Sequence, residues 1–319
     1  SNSTCALYIL LQTLKMYSAS SHKKYWTFVN KEEITHYREN ANKKYIKSIE
    51  HSAKSVEDSI LNADEELMIV KYYEVCLRDF LVNFKPRNET LPKDVKGTAF
   101  HFYKRFFMVA SVMDYHPKEI MMTCIFLSCK ICEYVMPIDL FVRNIEGNQA
   151  LMKNIILDQE MELLYRMGFR LNIFLPHRSV EGLMIDLRTR SSLQRPERLY
   201  DHINRFLATM WFTDVCLLYS PALIALAAVM HAVSRCKENI DNFVMHTLLD
   251  CPSENVLTGI ISIVREIRSA VMKSSSPPTA EQIADVEKKL AVSRNPMNNP
   301  TSNAFKQRMM EYALESYGK

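Results

Sequence analysis

The stretch from Tyr115 to Lys130 constrains the fold of this chain more than any other part of the sequence. Pro117 suits the first turn of a helix, where its missing N–H costs nothing, and Glu119 lies near the positive end of the helix dipole. From Ile120 to Cys129 no residue is charged and only two are polar. Such a helix is apolar on most sides, yet it is too short to cross a bilayer, which takes about 20 residues. We therefore expect it to be buried among other helices of the chain.

The same pattern returns at a fixed offset of 104 residues. The second copy again places a proline before a nearly uncharged run, here Ala222–Ala232, and the register continues without a gap through two helices and the turn between them. This repeat indicates two similar helical domains, each built around a buried third helix. The matching pairs are Phe102 with Phe206, Phe106 with Met210, Phe107 with Trp211, Tyr115 with Tyr219, Pro117 with Pro221, Ile120 with Ile224 and Leu127 with His231.

Composition and length agree with an all-α protein of two domains. Six glycines are too few for a turn-rich all-β protein, and 319 residues are enough for two cores. We predict two tandem five-helix domains with flanking N- and C-terminal helices. The predicted boundaries are 1–54 for an N-terminal extension and helix, 55–171 for the first domain, 172–273 for the second, and 274–319 for a C-terminal helix and polar tail. The part from Arg294 onward is predicted to be partly disordered.

Two charged residues in the first repeat are not required by packing. Lys130 ends the uncharged run, but the matching position of the second repeat is Ser234, so the fold tolerates a neutral residue there. A cation at a helix C-terminus contributes only about 0.3–1 kcal/mol. On a helical wheel Glu160 points into the middle of an apolar arc, where an unpaired carboxylate costs several kcal/mol. That arc consists of Ile156, Leu157, Met161, Leu163, Leu164 and Met167.

The sequence allows three interpretations of these charges. Lys130 can be a cation that only stabilises its helix end, or it can form an internal ion pair with Glu160. The third possibility is a polar pair, ringed by apolar side chains at the edge of the first domain, that meets backbone groups of another protein.

No pattern in the sequence indicates catalysis, a cofactor or a metal. Cys129 and Cys132 form a C-x-x-C, but no second Cys or His pair lies at a usable spacing for zinc. There is no Gly-rich phosphate loop, no H-E-x-x-H and no nucleophile–His–acid set. The 40 basic residues exceed the 36 acidic ones by only four and are dispersed, so no nucleic-acid surface is predicted. No membrane contact is predicted either.

These features resemble the cyclin family. Ser128–Glu133 is similar to the Lys-x-x-Glu segment that ends a buried cyclin helix, and Glu160 stands nine residues before Phe169, like the glutamate of the fifth cyclin helix. The resemblance implies tandem cyclin boxes and a non-catalytic protein that activates a cyclin-dependent kinase. It also implies that the lysine and glutamate hold the regulatory helix of that kinase. The kinase-interface residues expected on this basis are Lys130, Glu160, Leu127, Leu164, Phe169 and Leu171.

Segments outside the uncharged helices narrow the resemblance to cyclins of the CDK-activating kinase. It therefore implies three partners, namely this kinase, a RING-bearing assembly subunit and the TFIIH core, and it implies a nuclear location. The segments are Tyr25–Phe28, Asn40–Tyr45, Val70–Glu74, Asp114–Pro117 and Pro277–Pro278. The alternative is a TFIIB-like factor, which has two cyclin-like repeats but binds DNA.

Two segments depart from patterns known in cyclins. Cyclins that recruit substrates carry Met-Arg-Ala-Ile-Leu on the first box helix, whereas this chain has Leu67–Glu74 without that motif. The stretch Arg294–Lys319 is of mixed charge and does not resemble the acidic C-terminal tail that some cyclins carry. Neither substrate docking at that patch nor regulation through an acidic tail is therefore predicted.

Overall fold

A computed structural model describes residues 16–49, 59–191, 193–248, 254–274 and 276–317, and within these ranges every regular element is helical. The helices, in chain order, are α1 (Ser21–Trp26), α2 (Lys31–Ile49), α3 (Ala63–Asn83), α4 (Lys93–Val109), α5 (Pro117–Ile131), α6 (Ile138–Val142), α7 (Gln149–Arg166), α8 (Pro176–Arg190), α9 (Tyr200–Met210), α10 (Val215–Leu218), α11 (Pro221–Arg235), α12 (Asp241–Phe243), α13 (Glu254–Met272), α14 (Ala280–Ser293) and α15 (Asn303–Tyr317). Short 3-10 turns cover Pro196–Leu199 and Pro296–Asn298, and a π-helical turn covers Val244–Leu248.

The chain divides into two compact units. One contains Glu32–Leu171 and Pro277–Lys319, and therefore holds the first repeat. The other contains Ser1–Lys31 and Asn172–Ser276, and holds the second. The all-α fold with two tandem helical domains, predicted from the sequence, is confirmed.

Helix α5 is the centre of the first unit. From Pro117 to Cys129 every side chain except Lys118 is buried. The His116 ring caps the helix by accepting a hydrogen bond from the Lys118 N–H, and α3, α4 and α7 pack around it. A helix apolar on all sides is stable only when it is enclosed in this way, which is what its sequence predicted.

The repeat extends to details of the backbone. Helix α11 spans the 15 residues that lie 104 positions after those of α5. Two positions after the end of each helix a residue lies in the left-handed region, Glu133 with φ 57° after α5 and Lys237 with φ 58° after α11. The N–H of Glu133 donates to the carbonyl of Lys130, and the N–H of Lys237 donates in the same way to Ser234. In the second unit α11 is packed against α8, α9 and α13.

The flanking helices α2 and α14 belong to the unit of the first repeat. The narrow apolar face of α2 is buried at Ile34, Ala41 and Tyr45, and the Tyr45 hydroxyl donates to the Ser293 carbonyl at the end of α14 (3.0 Å). Asn42 donates to the Glu66 carboxylate on α3 (2.9 Å). Thin apolar stripes are therefore sufficient for helices that pack on the outside of a larger core.

The C-terminal stretch differs from the sequence-based expectation of partial disorder. The Asn295 N–H donates to the Met113 carbonyl (2.8 Å), and the Arg294 guanidinium donates to the Glu119 carboxylate (2.6 Å). Phe305 on α15 is also buried. These residues are held in place because their side chains and backbone bond to groups near the start of α5, a property that composition does not reveal.

Candidate functional site

Lys130 and Glu160 form an ion pair at the surface of the first unit. The Lys130 ammonium, at the end of α5, donates to both Glu160 carboxylate oxygens on α7, with Nζ–O distances of 2.6 and 2.8 Å. It also lies 4.7 Å from the centre of the Phe126 ring, a cation–π distance. The Lys130 side chain is 46% exposed and the Glu160 side chain is 17% exposed. The pair is thus formed within the chain, yet its ammonium remains open to solvent.

Helix α7 does not bury the whole apolar arc that the wheel predicted. Its core-facing residues are Ile156, Gln159 and Leu163, whereas Leu157 and Met161 are 46% and 63% exposed. Glu160 lies on the boundary between the two faces and not in the middle of a buried one. The difference arises because α5 and its neighbours cover only one side of α7, so two of the six residues of the arc are exposed to solvent.

The turn after α7 presents an exposed aromatic side chain. Gly168 and Phe169 both have positive φ, at 58° and 56°. The Phe169 N–H donates to the carbonyl of Leu164 (2.9 Å), which fixes the turn. A non-glycine residue in this region costs about 1–2 kcal/mol, and here the side chain that adopts it is 59% exposed. The same left-handed conformation follows α5 at Glu133 and α11 at Lys237, so this is a helix-ending turn, and here it presents an aromatic side chain to solvent.

The remaining expected residues lie at different depths. Leu164 and Leu171 are half-buried. Leu127 is only 3% exposed, so it supports the site from below and does not present its side chain to a partner. We define the α7 surface as Lys130, Leu157, Glu160, Met161 and Phe169. Leu157 and Met161 were not among the expected interface residues, although their place on the wheel beside Glu160 was a usable signal.

The α7 surface has the chemistry of a protein-binding site. Exposed leucine, methionine and phenylalanine side chains flank a charge pair, an arrangement that favours partner binding more than solvation. A binding partner would remove water from the pair and strengthen its hydrogen bonds.

The structure gives neither the C-x-x-C cysteines a reactive form nor the described residues a metal site or a membrane-spanning helix. Burial raises the pKa of the Cys129 thiol to about 12, and burial also raises the pKa of Cys132, so neither is a ready thiolate. In the described ranges, no three His, Cys, Asp or Glu side chains gather as ligands of a metal ion would. No helix among the described residues is long and apolar enough to cross a membrane.

The chain has two helical repeats, each built around a buried third helix. In the first repeat a Lys–Glu pair at the surface joins the third helix to the fifth. These features are those of cyclin-fold proteins. Family models agree with this class. The model for the cyclin N-terminal domain matches residues 43–172, and that for the cyclin C-terminal domain matches residues 175–272. The chain belongs to the cyclin family.

The proteins that resemble this chain over most of its length include two named cyclins. Cyclin-H of Xenopus laevis is 36% identical over 281 residues, which is 86% of each chain. Cyclin mcs2 of Schizosaccharomyces pombe is 27% identical over 308 residues, covering 92% of this chain and 89% of the relative. The 36% identity to a cyclin-H confirms the narrower resemblance that the segments outside the uncharged helices indicated.

Solved structures share the fold. A chain of the CAK complex of Chaetomium thermophilum bound to ATP-gamma-S superimposes with a TM-score of 0.77, at 23% identity and 94% coverage of both chains. A chain of the yeast TFIIK (Kin28/Ccl1/Tfb3) complex gives a TM-score of 0.63 at 25% identity, covering 80% of this chain and all of that one.

Proposed function

We propose that this chain is a regulatory cyclin that binds and activates a cyclin-dependent kinase of the CDK-activating type, in transcription that depends on TFIIH. The observation that carries this proposal is the α7 surface on a chain that is 36% identical to a cyclin-H. The chain itself transfers no phosphate, and its role is to hold the kinase in an active conformation.

The α7 surface supports a specific way of holding a kinase helix. The Lys130 ammonium uses two of its hydrogen-bond directions on Glu160, and it has a third N–H that can donate to a backbone carbonyl. The Glu160 carboxylate can accept from a backbone N–H. We propose Lys130 and Glu160 as the polar centre of the interface, with Leu164, Phe169 and Leu171 around it and Leu127 beneath.

Activation then follows from a shift of population. The cyclin binds the active orientation of the kinase helix better than the inactive one, and a change from about 1% to 99% active requires a difference of roughly 5.5 kcal/mol. A protein interface of standard size, about 1,600 Å², can supply that difference.

The wider assembly extends this proposal. The yeast complex that contains a similar chain has three named components, Kin28, Ccl1 and Tfb3, which supports a further subunit beside the kinase. We propose a RING-bearing assembly subunit as that component, the TFIIH core as the larger partner, and the nucleus as the location. A TFIIB-like role is not favoured, since the relatives are cyclins.

Reconstitution tests the proposal. The full chain is purified from nuclear extract, the bound kinase is identified, and phosphate transfer to a peptide substrate is measured for the chain alone, the kinase alone and the pair. We expect transfer only from the kinase, with strong stimulation by the chain. Phosphate transfer by the isolated chain, or co-purification with no kinase, contradicts the proposal.

A further inference from the structure

The second repeat carries different chemistry at positions that match two residues of the α7 surface, Lys130 and Glu160, and the neighbouring Leu164. At the offset of 104 residues, Ser234 stands where Lys130 stands, and the buried Val264 stands where Glu160 stands. Arg268 matches Leu164, so the fifth helix of the second repeat presents a cation in place of a leucine. The equivalent surface is therefore formed by different residues and cannot bind the same partner in the same way.

Ser234 holds Arg268 in place across two helices. The Ser234 hydroxyl on α11 donates to the Met230 carbonyl (3.0 Å) and accepts a hydrogen bond from the Arg268 guanidinium on α13 (3.1 Å). Arg268 has five N–H donors, and this contact uses one of them. Its planar fork is thus oriented while most of its donors remain available for another acceptor.

Other basic groups surround this arginine. His231, on the same helix as Ser234, has its ring centre 5.2 Å from that of Phe206 on α9, with the two ring planes tilted by 36°. The pKa of His231 is lowered first by burial and then by the positive charges of Arg268, Arg235 and His202. Together, His202, His231, Ser234, Arg235 and Arg268 form what we call the α11 surface, drawn from α9, α11 and α13.

The charges of the α11 surface are not neutralised inside the described part of the chain. Neither Arg235 nor Arg268 has a carboxylate within ion-pair distance there, whereas Lys130 of the first repeat has Glu160. Arg235 is exposed, and His202, His231 and Arg268 are half-buried. A convergent basic site without its own carboxylate attracts an anionic partner, and guanidinium groups suit planar carboxylates in particular.

We propose that the α11 surface is a second docking site, which binds a segment of a partner protein rich in Asp and Glu. Arg268 and Arg235 bind its carboxylates, and His231 lies beside them. The first repeat presents a paired lysine and glutamate suited to backbone groups, while the second repeat presents unpaired cations suited to acidic side chains. The duplicated surface has thereby become specific for a different partner.

A peptide-binding measurement on the full chain tests this proposal. The probe is a fluorescein-labelled 12-residue peptide, designed with about equal numbers of Glu and Leu, and its affinity is measured by fluorescence anisotropy. A second peptide has Gln in place of every Glu. We expect the native chain to bind the Glu peptide at least about tenfold more tightly than the Gln peptide, because the arginines pair with carboxylates. Equal binding of the two peptides, or no measurable binding, overturns the proposal.

Charge-reversal variants locate the site. Arg235→Glu and Arg268→Glu should each weaken binding of the Glu peptide by about tenfold or more. Arg178→Glu is the matched control, since it makes the same charge change at an exposed position on α8 of the same unit. It should change affinity by less than about twofold. A comparable loss in Arg178→Glu indicates general charge attraction and rejects the site. Unchanged melting temperatures and unchanged kinase stimulation by Arg235→Glu confirm that folding and the α7 surface are intact.

The pH dependence gives an independent readout. A bound carboxylate offsets the repulsion that His231 receives from Arg268, Arg235 and His202, so its pKa rises on binding and a proton is taken up. Affinity for the Glu peptide should therefore increase as the pH falls from 8 to 6, and His231→Gln should reduce this increase. Affinity that is independent of pH in both proteins contradicts a location beside His231. If a single-stranded oligonucleotide binds this surface more tightly than the Glu peptide, the acidic-segment proposal is also wrong.

Discussion

At the scale of single residues, the position of Glu160 explains how one carboxylate can serve both fold and function. On the boundary of α7 it reaches Lys130 without being fully removed from water. An ion pair with this much exposure contributes only about 0–1 kcal/mol to folding. The same pair becomes far more important when a partner covers it, because truncation then leaves the other charge buried and unpaired.

Lys130→Ala and Glu160→Ala should each weaken the kinase complex by about 2–5 kcal/mol while lowering the melting temperature little. Kinase affinity and thermal unfolding are measured on the same two variants. The matched control is Lys289→Ala, which removes a Lys289–Glu65 pair of the same 2.6 Å length with side chains 43% and 19% exposed. A large loss of melting temperature with native affinity would show that Lys130 and Glu160 serve only the fold.

Glu66 is a second informative carboxylate, buried in the first unit. It accepts hydrogen bonds from the Ser111 hydroxyl (2.5 Å), the Asn42 amide (2.9 Å) and the Val112 N–H (3.3 Å). Burial nevertheless raises its pKa above the ordinary value, the hydrogen bonds offsetting only part of the cost. The folded state therefore holds this proton more tightly than the unfolded state does.

Because the pKa of Glu66 differs between the folded and unfolded states, the free energy of unfolding depends on pH. A raised pKa in the folded state contributes stability below the ordinary Glu pKa, and that contribution is lost as the pH rises through the folded-state pKa. Glu66→Gln removes this loss, so its stability relative to the native chain should increase from pH 4.5 toward neutral pH. Chemical denaturation at several pH values measures the difference. A relative stability that falls over the same interval would mean that Glu66 is ionised favourably.

At the scale of secondary-structure elements, the segment after α14 acts as a clamp on the start of α5. Arg294 and Glu119 form an ion pair whose side chains are only 11% and 9% exposed. Gln159 on α7 also donates to Glu119, and Asn295 and Asn298 both donate to Asp114. The chain beyond the second repeat therefore completes the polar groups of the first.

Arg294→Ala should destabilise the protein by about 3–5 kcal/mol, because it leaves the Glu119 carboxylate buried without its cation. Thermal and chemical unfolding measure the effect. Adding Glu119→Gln to Arg294→Ala should restore part of the loss, since the unpaired charge is then absent. Lys288→Ala, which breaks a fully exposed pair with Asp285, is the control and should leave stability unchanged. Equal effects of Arg294→Ala and Lys288→Ala would contradict the clamp.

At the scale of the whole molecule, duplication has produced two similar units with different surfaces. The shared part is what packing demands, namely buried α5 and α11 of equal length and a left-handed backbone conformation at the matching position after each. The unshared part lies at exposed or half-buried positions, where Lys130 corresponds to Ser234 and Leu164 to Arg268. Changes at such positions cost the fold little, so each repeat can acquire its own partner.

The sequence by itself determined the helical class, the repeat and its register. An uncharged run such as Ile120–Cys129 has only one low-energy environment, the centre of a helical domain, so its burial could be predicted without coordinates. The burial and equal length of α5 and α11 followed from the same local pattern. Lys130 was identified for a related reason, because its counterpart Ser234 showed that packing does not require it.

Only the tertiary structure decided which side of a helix is covered and which polar groups meet. The wheel of α7 shows one apolar arc, but the neighbours of α7 bury Ile156 and leave Met161 exposed. Likewise, Arg294 and Glu119 are 175 residues apart in the chain, and no local pattern links them. The spacing of apolar residues and the composition describe one helix at a time. The burial and ion pairing of that helix depend on the other elements that pack against it.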